Sequence, residues 1–225
     1  MPSLFQGQEP SVDHIAIAVG RGTLDALRTL FTKVFDGEII YDPGVIGDGV
    51  TGMRTFVVAF GDVKLALMEG VDGAGSERRS AHFPSQINRY ADGKKGGPRV
   101  QHIAVCVNDV RGLAEELRER GIRFLTEDED GTPKYLVSSN EGGGTVIQVF
   151  TYPFINGLFF EFKEKIPNGA TVPFAEFRDK NVRDLWFYVE RMFTRIGEDV
   201  FFESLNIFGE FSGLESSLLR RGYSV

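Results

Sequence analysis

Histidine is scarce in this sequence, 3 in 225 residues, and two of the three sit in matching settings. His14 lies in Val12-Asp13-His14-Ile15-Ala16-Ile17-Ala18-Val19, and His102 in Val100-Gln101-His102-Ile103-Ala104-Val105-Cys106-Val107. Both strings alternate residue types with period two, as strands do, so each histidine shares a face with small neighbours: Ala16 and Ala18, or Ala104 and Cys106. Small side chains beside an imidazole leave room for an ion and a ligand. A third candidate is Glu161 in Leu158-Phe159-Phe160-Glu161-Phe162, a carboxylate inside an apolar strand. Burying such a charge is costly unless it is solvated, paired, neutral or bound to a cation. Two neutral imidazoles and one carboxylate form the ligand set of non-haem Fe(II) oxygenases, which leaves positions open for O2 and a chelating substrate. The expected metal centre is therefore His14, His102 and Glu161, holding Fe(II) or another divalent ion.

Two other residues compete for a role. Glu69 follows His14 at nearly the interval at which Glu161 follows His102. As a fourth ligand it would favour proton-transfer chemistry of the isomerase or lyase kind. As a strand-end residue before Gly70 it would simply be solvated, and that is the expectation. His82, in Ser80-Ala81-His82-Phe83, reads as a surface or lid histidine.

The elements that must position these residues repeat. After each histidine strand comes a helical pattern, Leu24, Leu27, Leu30, Phe31 and Val34 in the first half and Val110, Leu113 and Leu117 in the second. Gly37 and Gly121 stand where those helices should stop. Extended stretches follow at Arg54–Phe60 and Val63–Met68, then at Tyr135–Ser138, Thr145–Thr151 and Leu158–Lys163. The fold class is α+β: two βαβββ modules, residues 10–70 and 99–166, curling a mixed sheet around a cavity. Residues 71–98 connect them, with a short helical turn at Ser85–Tyr90. Residues 167–225 form a C-terminal helix, Asn181 to Ile196, and a Phe- and Leu-rich tail that covers the cavity mouth or meets a second subunit; a homodimer is one assembly open to the chain.

Composition narrows the partners. With 42% hydrophobic residues the chain can bury a sizeable core, and its net charge of -7 argues against nucleic acid or an anionic membrane as the main partner. The single cysteine, Cys106, rules out an intrachain disulfide and a cysteine metal cluster. No apolar run reaches membrane-span length, and the first residues lack the pattern of a signal peptide, so a cytoplasmic location is expected.

At these residues the sequence resembles the vicinal oxygen chelate superfamily, and within it the catalytic half of the 4-hydroxyphenylpyruvate dioxygenase family. The matching pieces are Val12-Asp13-His14, Pro84-Ser85-Gln86-Ile87 with Tyr90, Val100-Gln101-His102-Ile103-Ala104, Thr145-Val146-Ile147-Gln148-Val149-Phe150-Thr151-Tyr152-Pro153 and Leu158-Phe159-Phe160-Glu161-Phe162. The resemblance implies that His14, His102 and Glu161 bind iron and that Gln86, Gln148 and Phe150 line the substrate pocket. It also implies an Fe(II)-dependent enzyme that uses O2 to decarboxylate and hydroxylate a small 2-oxo acid, whose own 2-oxo acid group chelates the metal. One departure bears on substrate. Where the family's C-terminal helix presents Phe after Asn, this chain has Asn181-Val182, and Val182 cannot stack on an aromatic ring. The expected substrate is a 2-oxo acid of a different shape from 4-hydroxyphenylpyruvate. Alternatives are an extradiol ring-cleaving dioxygenase, a metal-dependent isomerase or lyase of the glyoxalase type, and a metal-free small-molecule binding protein.

Overall fold

The computed structural model describes residues 9–48, 51–72, 85–92, 98–140, 144–154, 157–167 and 177–196, together with 4, 5 and 7. His82 and the tail beyond Ile196 lie outside the described residues. The first half runs β1 (Ser11–Val19), α1 (Leu24–Lys33), β2 (Glu38–Gly47), β3 (Thr51–Phe60) and β4 (Val63–Asp72). After α2 (Gln86–Asp92), the second half runs β5 (Arg99–Cys106), α3 (Val110–Glu119), β6 (Leu136–Asn140), β7 (Gly144–Phe150) and β8 (Phe159–Ile166). A final helix, α4, spans Asp179–Ile196.

All eight strands join one curled mixed sheet, in the order β2-β3-β4-β1-β5-β8-β7-β6. The order is the same read outward from either side of the β1–β5 seam. Each histidine strand pairs parallel with the last strand of its own module, and each module ends in two antiparallel pairs. The two histidine strands pair antiparallel, with His14 opposite Ala104 and Ala16 opposite His102. The pseudo-twofold axis therefore passes between Ile15 and Ile103, and the histidines flank it.

The convex side of the sheet is covered module by module. Leu24 packs with Val19, Phe56, Val58 and Leu67 under α1, and Val110, Leu113, Ala114 and Leu117 of α3 pack on Ile147, Val149 and Phe162. The concave side is closed by α4, whose Trp186 and Val189 join Ala16, Met53, Val57, Met68 and Phe159 in one buried cluster. Amphipathic spacing in α4 places these residues on its inner stripe. The helix packs against both edge strands, β2 and β6. Tyr41 of β2 donates its hydroxyl to Asp179 at 2.9 Å, and Asn181 donates to Ser138 of β6 at 2.9 Å.

The two glycine stops differ in cause. Gly121 has φ +89°, in the left-handed region, and ends α3 as expected. After α1 the left-handed residue is Asp36, at φ 52°. Gly37 is required for space instead, because a Cβ there would meet Phe60 and Val58 at 2.6 Å.

Candidate metal centre

β-Bulges shape the site. The β1–β5 register slips between Val12 and His14 and again between Ala16 and Ile17, opposite Gln101. A regular strand would send Asp13 and His14 to opposite faces. With an extra residue inserted, both are buried, at 5% exposure each, and so are Gln101 and His102. Each imidazole thus gains an acceptor beside its Nδ1: Asp13 Oδ2 at 2.8 Å from His14, and Gln101 Oε1 at 3.1 Å from His102. Donating Nδ1–H to these oxygens fixes the tautomer and leaves both Nε2 atoms as lone-pair acceptors.

Those Nε2 atoms face each other at 3.2 Å, and Glu161 Oε2 lies 3.4 Å from His102 Nε2 and 3.8 Å from His14 Nε2. The 3.2 Å contact has hydrogen-bond length, yet a bond there needs one imidazole to give up its Nδ1–H or gain a second proton. Burial, reinforced by the nearby Lys163 ammonium, pushes His102 well below the ordinary histidine range, so it stays neutral. With each Nδ1–H given to Asp13 or Gln101, the two Nε2 lone pairs and Glu161 Oε2 are three buried acceptors that converge. Nitrogen and oxygen ligands about 2.0–2.2 Å from one ion lie roughly 3–3.6 Å apart. The donor set fits a divalent cation, and His14, His102 and Glu161 are the cluster of candidate ligands among the described residues.

The remaining Glu161 oxygen is occupied. Gln148 Nε2 donates to Oε1 at 2.7 Å, and Gln148 Oε1 accepts from Asn181 Nδ2 at 2.5 Å. A relay of amides thus runs from α4 to the carboxylate and turns Oε2 toward the imidazoles. Behind His14, Asp13 also accepts from Lys163 Nζ at 2.8 Å and Lys165 Nζ at 2.6 Å. Burial alone would raise the Asp13 carboxyl, but the hydrogen bond from His14 and the Lys163 ammonium hold it far below the usual carboxylate range. Phe159 stacks on His102 at 5.0 Å between ring centroids, and Phe177 meets His14 edge-on at 5.0 Å.

The centre opens into a cavity of about 60 Å³ under α4. Gln86, Gln148 and Val182 line it. Gln86 gives its Nε2–H to the Trp186 carbonyl at 2.8 Å, while its Oε1 is buried without a partner. The Gln148 amide is already engaged at both ends. Phe150 is not among the lining residues; it pairs across the sheet with Glu161 and packs edge-on against Phe159.

Glu69 is neither a ligand nor solvated. It is buried, and its Oε2 accepts from Leu24 N at 2.9 Å, at the first turn of α1. Glu164 does the same for α3, accepting from Val110 N at 3.1 Å. The strand registers make these two glutamates repeat counterparts: Glu69 pairs with Val19, and Val107, which matches Val19 in the second histidine strand, donates its N–H to Lys163 O next to Glu164. By the same register Ala16 pairs with Ala66, and Ala104 with Glu161. The first-half counterpart of Glu161 is therefore Ala66, which lines the cavity. Near-equal sequence intervals had suggested Glu69, because the modules differ in loop length.

Sequence reasoning missed Asp13, Gln101, Lys163, Phe177 and Asn181 as parts of this site. Asp13 and Gln101 had a legible signal, a polar acceptor before each histidine in an apolar strand. Lys163 also had one, since period two puts it on the face of Glu161. Phe177 had none.

An eight-stranded mixed sheet built from two such modules, with a His-His-Glu cluster on its concave face, defines the class. The chain belongs to the glyoxalase/bleomycin resistance protein/dioxygenase superfamily, whose family model matches residues 13–137, more than half of its length. It is 24% identical over 210 residues to 4-hydroxyphenylpyruvate dioxygenase of Legionella pneumophila (strain Corby), covering 83% of this chain and 55% of the relative. It is 26% identical over 183 residues to the Tetrahymena thermophila protein of the same name, covering 68% and 43%. Among solved structures, a triple mutant of 4-hydroxymandelate synthase from Streptomyces coelicolor superposes with a TM-score of 0.63 at 27% identity, covering 81% of this chain and 54% of that one. The chain spans about half the length of the curated relatives it matches.

Proposed function

We propose that this protein is an Fe(II)-dependent dioxygenase that oxidatively decarboxylates and hydroxylates a 2-oxo acid. The observation that carries this reading is the convergence of three buried acceptors whose other polar atoms are already tied: both Nδ1 atoms by Asp13 and Gln101, and Glu161 Oε1 by Gln148. A divalent cation would satisfy all three at once. Relatives named as dioxygenases, matched over most of this chain, support the choice of reaction.

His14, His102 and Glu161 would hold the ion. When bound, Fe(II) supplies the means of chelating a 2-oxo acid and activating O2 beside it. The chain's own residues do the rest. Asp13 and Gln101 keep the imidazoles in the metal-binding tautomer and aim them inward. Gln148 keeps one carboxylate oxygen occupied, so Glu161 offers a single atom. Ala66, in place of a second carboxylate, leaves one side of the centre without a protein ligand. Gln86 Oε1 presents an unmet acceptor to a hydroxyl or water. Trp186, Leu185 and Val182 of α4 exclude bulk water from above. Glu69, engaged with α1, does not favour the four-ligand isomerase reading.

The test is anaerobic reconstitution with Fe(II), followed by O2 and CO2 measurement over a panel of 2-oxo acids without added co-substrate. Equal O2 uptake and CO2 release are expected with at least one acid. Metal binding without O2 uptake on any of them would reject the reaction.

A further inference from the structure

Inside β8, Phe159, Glu161 and Lys163 follow one another on the concave face. Lys163 is the unexpected member. Its side chain is 1% exposed, and its one hydrogen-bond acceptor among the described residues is Asp13 Oδ2, at 2.8 Å. An ammonium carries three N–H donors, so two are unanswered. The nearest compensation is the Phe177 ring, whose centroid is 5.5 Å from Nζ. Asp13 is itself divided, since the same Oδ2 accepts from His14 and Oδ1 accepts from Lys165. Both Lys163 and Phe177 line the cavity. The counterpart of Lys163 in the first half is Met68, an apolar residue that lines the same cavity and shows that the position packs without a charge. A buried cation retained where its twin is methionine, with donors to spare, is costly unless a ligand completes its shell.

We propose that Lys163 receives a second acidic group of the substrate, so that the 2-oxo acid taken by this site is a short aliphatic dicarboxylate. Its 2-oxo acid end faces His14, His102 and Glu161, and its far carboxylate accepts from Lys163 Nζ. This rests on the metal-centre reading above. The two strand residues from Glu161 to Lys163 cover about 6.7 Å, comparable with the span of a short diacid. Val57 and Met53 give the cavity apolar walls for the methylenes between the two acidic ends.

The experiment is anaerobic calorimetry on the full chain loaded with Fe(II), comparing 2-oxoglutarate with 2-oxopentanoate, which carries a methyl group in place of the far carboxylate. The wild-type protein should bind the diacid about tenfold more tightly or better, as a buried charged hydrogen bond predicts. Lys163→Met should reduce the ratio of the two affinities to about twofold or less, whatever the variant's absolute affinity for 2-oxopentanoate. Lys163→Gln, which keeps a donor for Asp13, should also lose the preference, and serves if the methionine variant does not fold. Equal wild-type affinity for the two acids overturns the proposal, as does a preference that survives in either variant. Failure to take up metal at all is a different result: it overturns the metal-centre reading, and this inference with it.

Discussion

Removing the Glu161 carboxylate takes the only anion from the acceptor triad and leaves two imidazoles. Glu161→Ala should weaken divalent metal binding by about 100-fold or more, since even outer-shell losses cost about 10–100-fold, and should abolish turnover. A calorimetric metal titration checks the first, and O2 uptake the second. Glu69→Gln is the control at a buried glutamate outside the triad. It should leave metal affinity unchanged and cost about 0.5–1 kcal/mol through a weakened charge at the start of α1, read as a small fall in Tm. His102 supplies a pH prediction. Its folded pKa is held well below the ordinary value, first by burial. The unfolded chain therefore takes up this proton near pH 6.5 while the folded chain does not, and stability rises with pH across that interval. The metal-free protein should be fully stable with respect to this group above about pH 6.5 and lose stability as pH falls below it. Denaturant midpoints measured across that range check the sign, and a rise in stability on acidification would reject it.

At the scale of elements, α4 is both roof and strut. Val182 lines the cavity from it, and Asn181 reaches the Glu161 carboxylate through Gln148. Val182→Phe should raise kcat/KM for aromatic 2-oxo acids several-fold relative to aliphatic ones, because an aromatic contact adds about 0.5–1.5 kcal/mol. Steady-state kinetics on matched pairs decides it, and a highest kcat/KM for 4-hydroxyphenylpyruvate in the unaltered protein would contradict the reading of Val182. Most of these elements were legible in the sequence. The histidine strands, both early helices, α4 and the strands bearing Glu161 and Gln148 follow from period-two and helical spacing. β2 was not legible, since Asp42, Pro43 and Gly44 interrupt its alternation and it is an exposed edge strand. The triad was legible because charge in an apolar strand needs a partner. The way Asp13 and Gln101 turn inward was not, because a bulge is a property of a strand pair, and periodicity within one strand says nothing of it.

At the scale of the whole molecule, duplication supplies the frame and asymmetry supplies the site. The helix-capping glutamates, the histidines and their Nδ1 acceptors occur in pairs. Glu161 against Ala66 and Lys163 against Met68 do not. Restoring symmetry at the first pair makes a prediction. Ala66→Glu should keep or tighten metal binding while O2-dependent turnover is lost, because a fourth protein ligand would take a position needed by substrate or O2. Metal titration and O2 uptake on one preparation test both halves of that statement. The bridge made by α4 has a further consequence. A curled sheet that does not close on itself leaves two strand margins, here β2 and β6, with Ile40, Val45 and Val137 exposed along them. Unpaired margins of this kind template intermolecular pairing and fibrous aggregation. Because one helix is anchored to both through Asp179 and Asn181, its detachment would release both margins at once to move and pair with another chain. Tyr41→Phe combined with Asn181→Ala should therefore shorten the lag before heat-induced light scattering, even where the folded protein at ambient temperature keeps its circular dichroism spectrum.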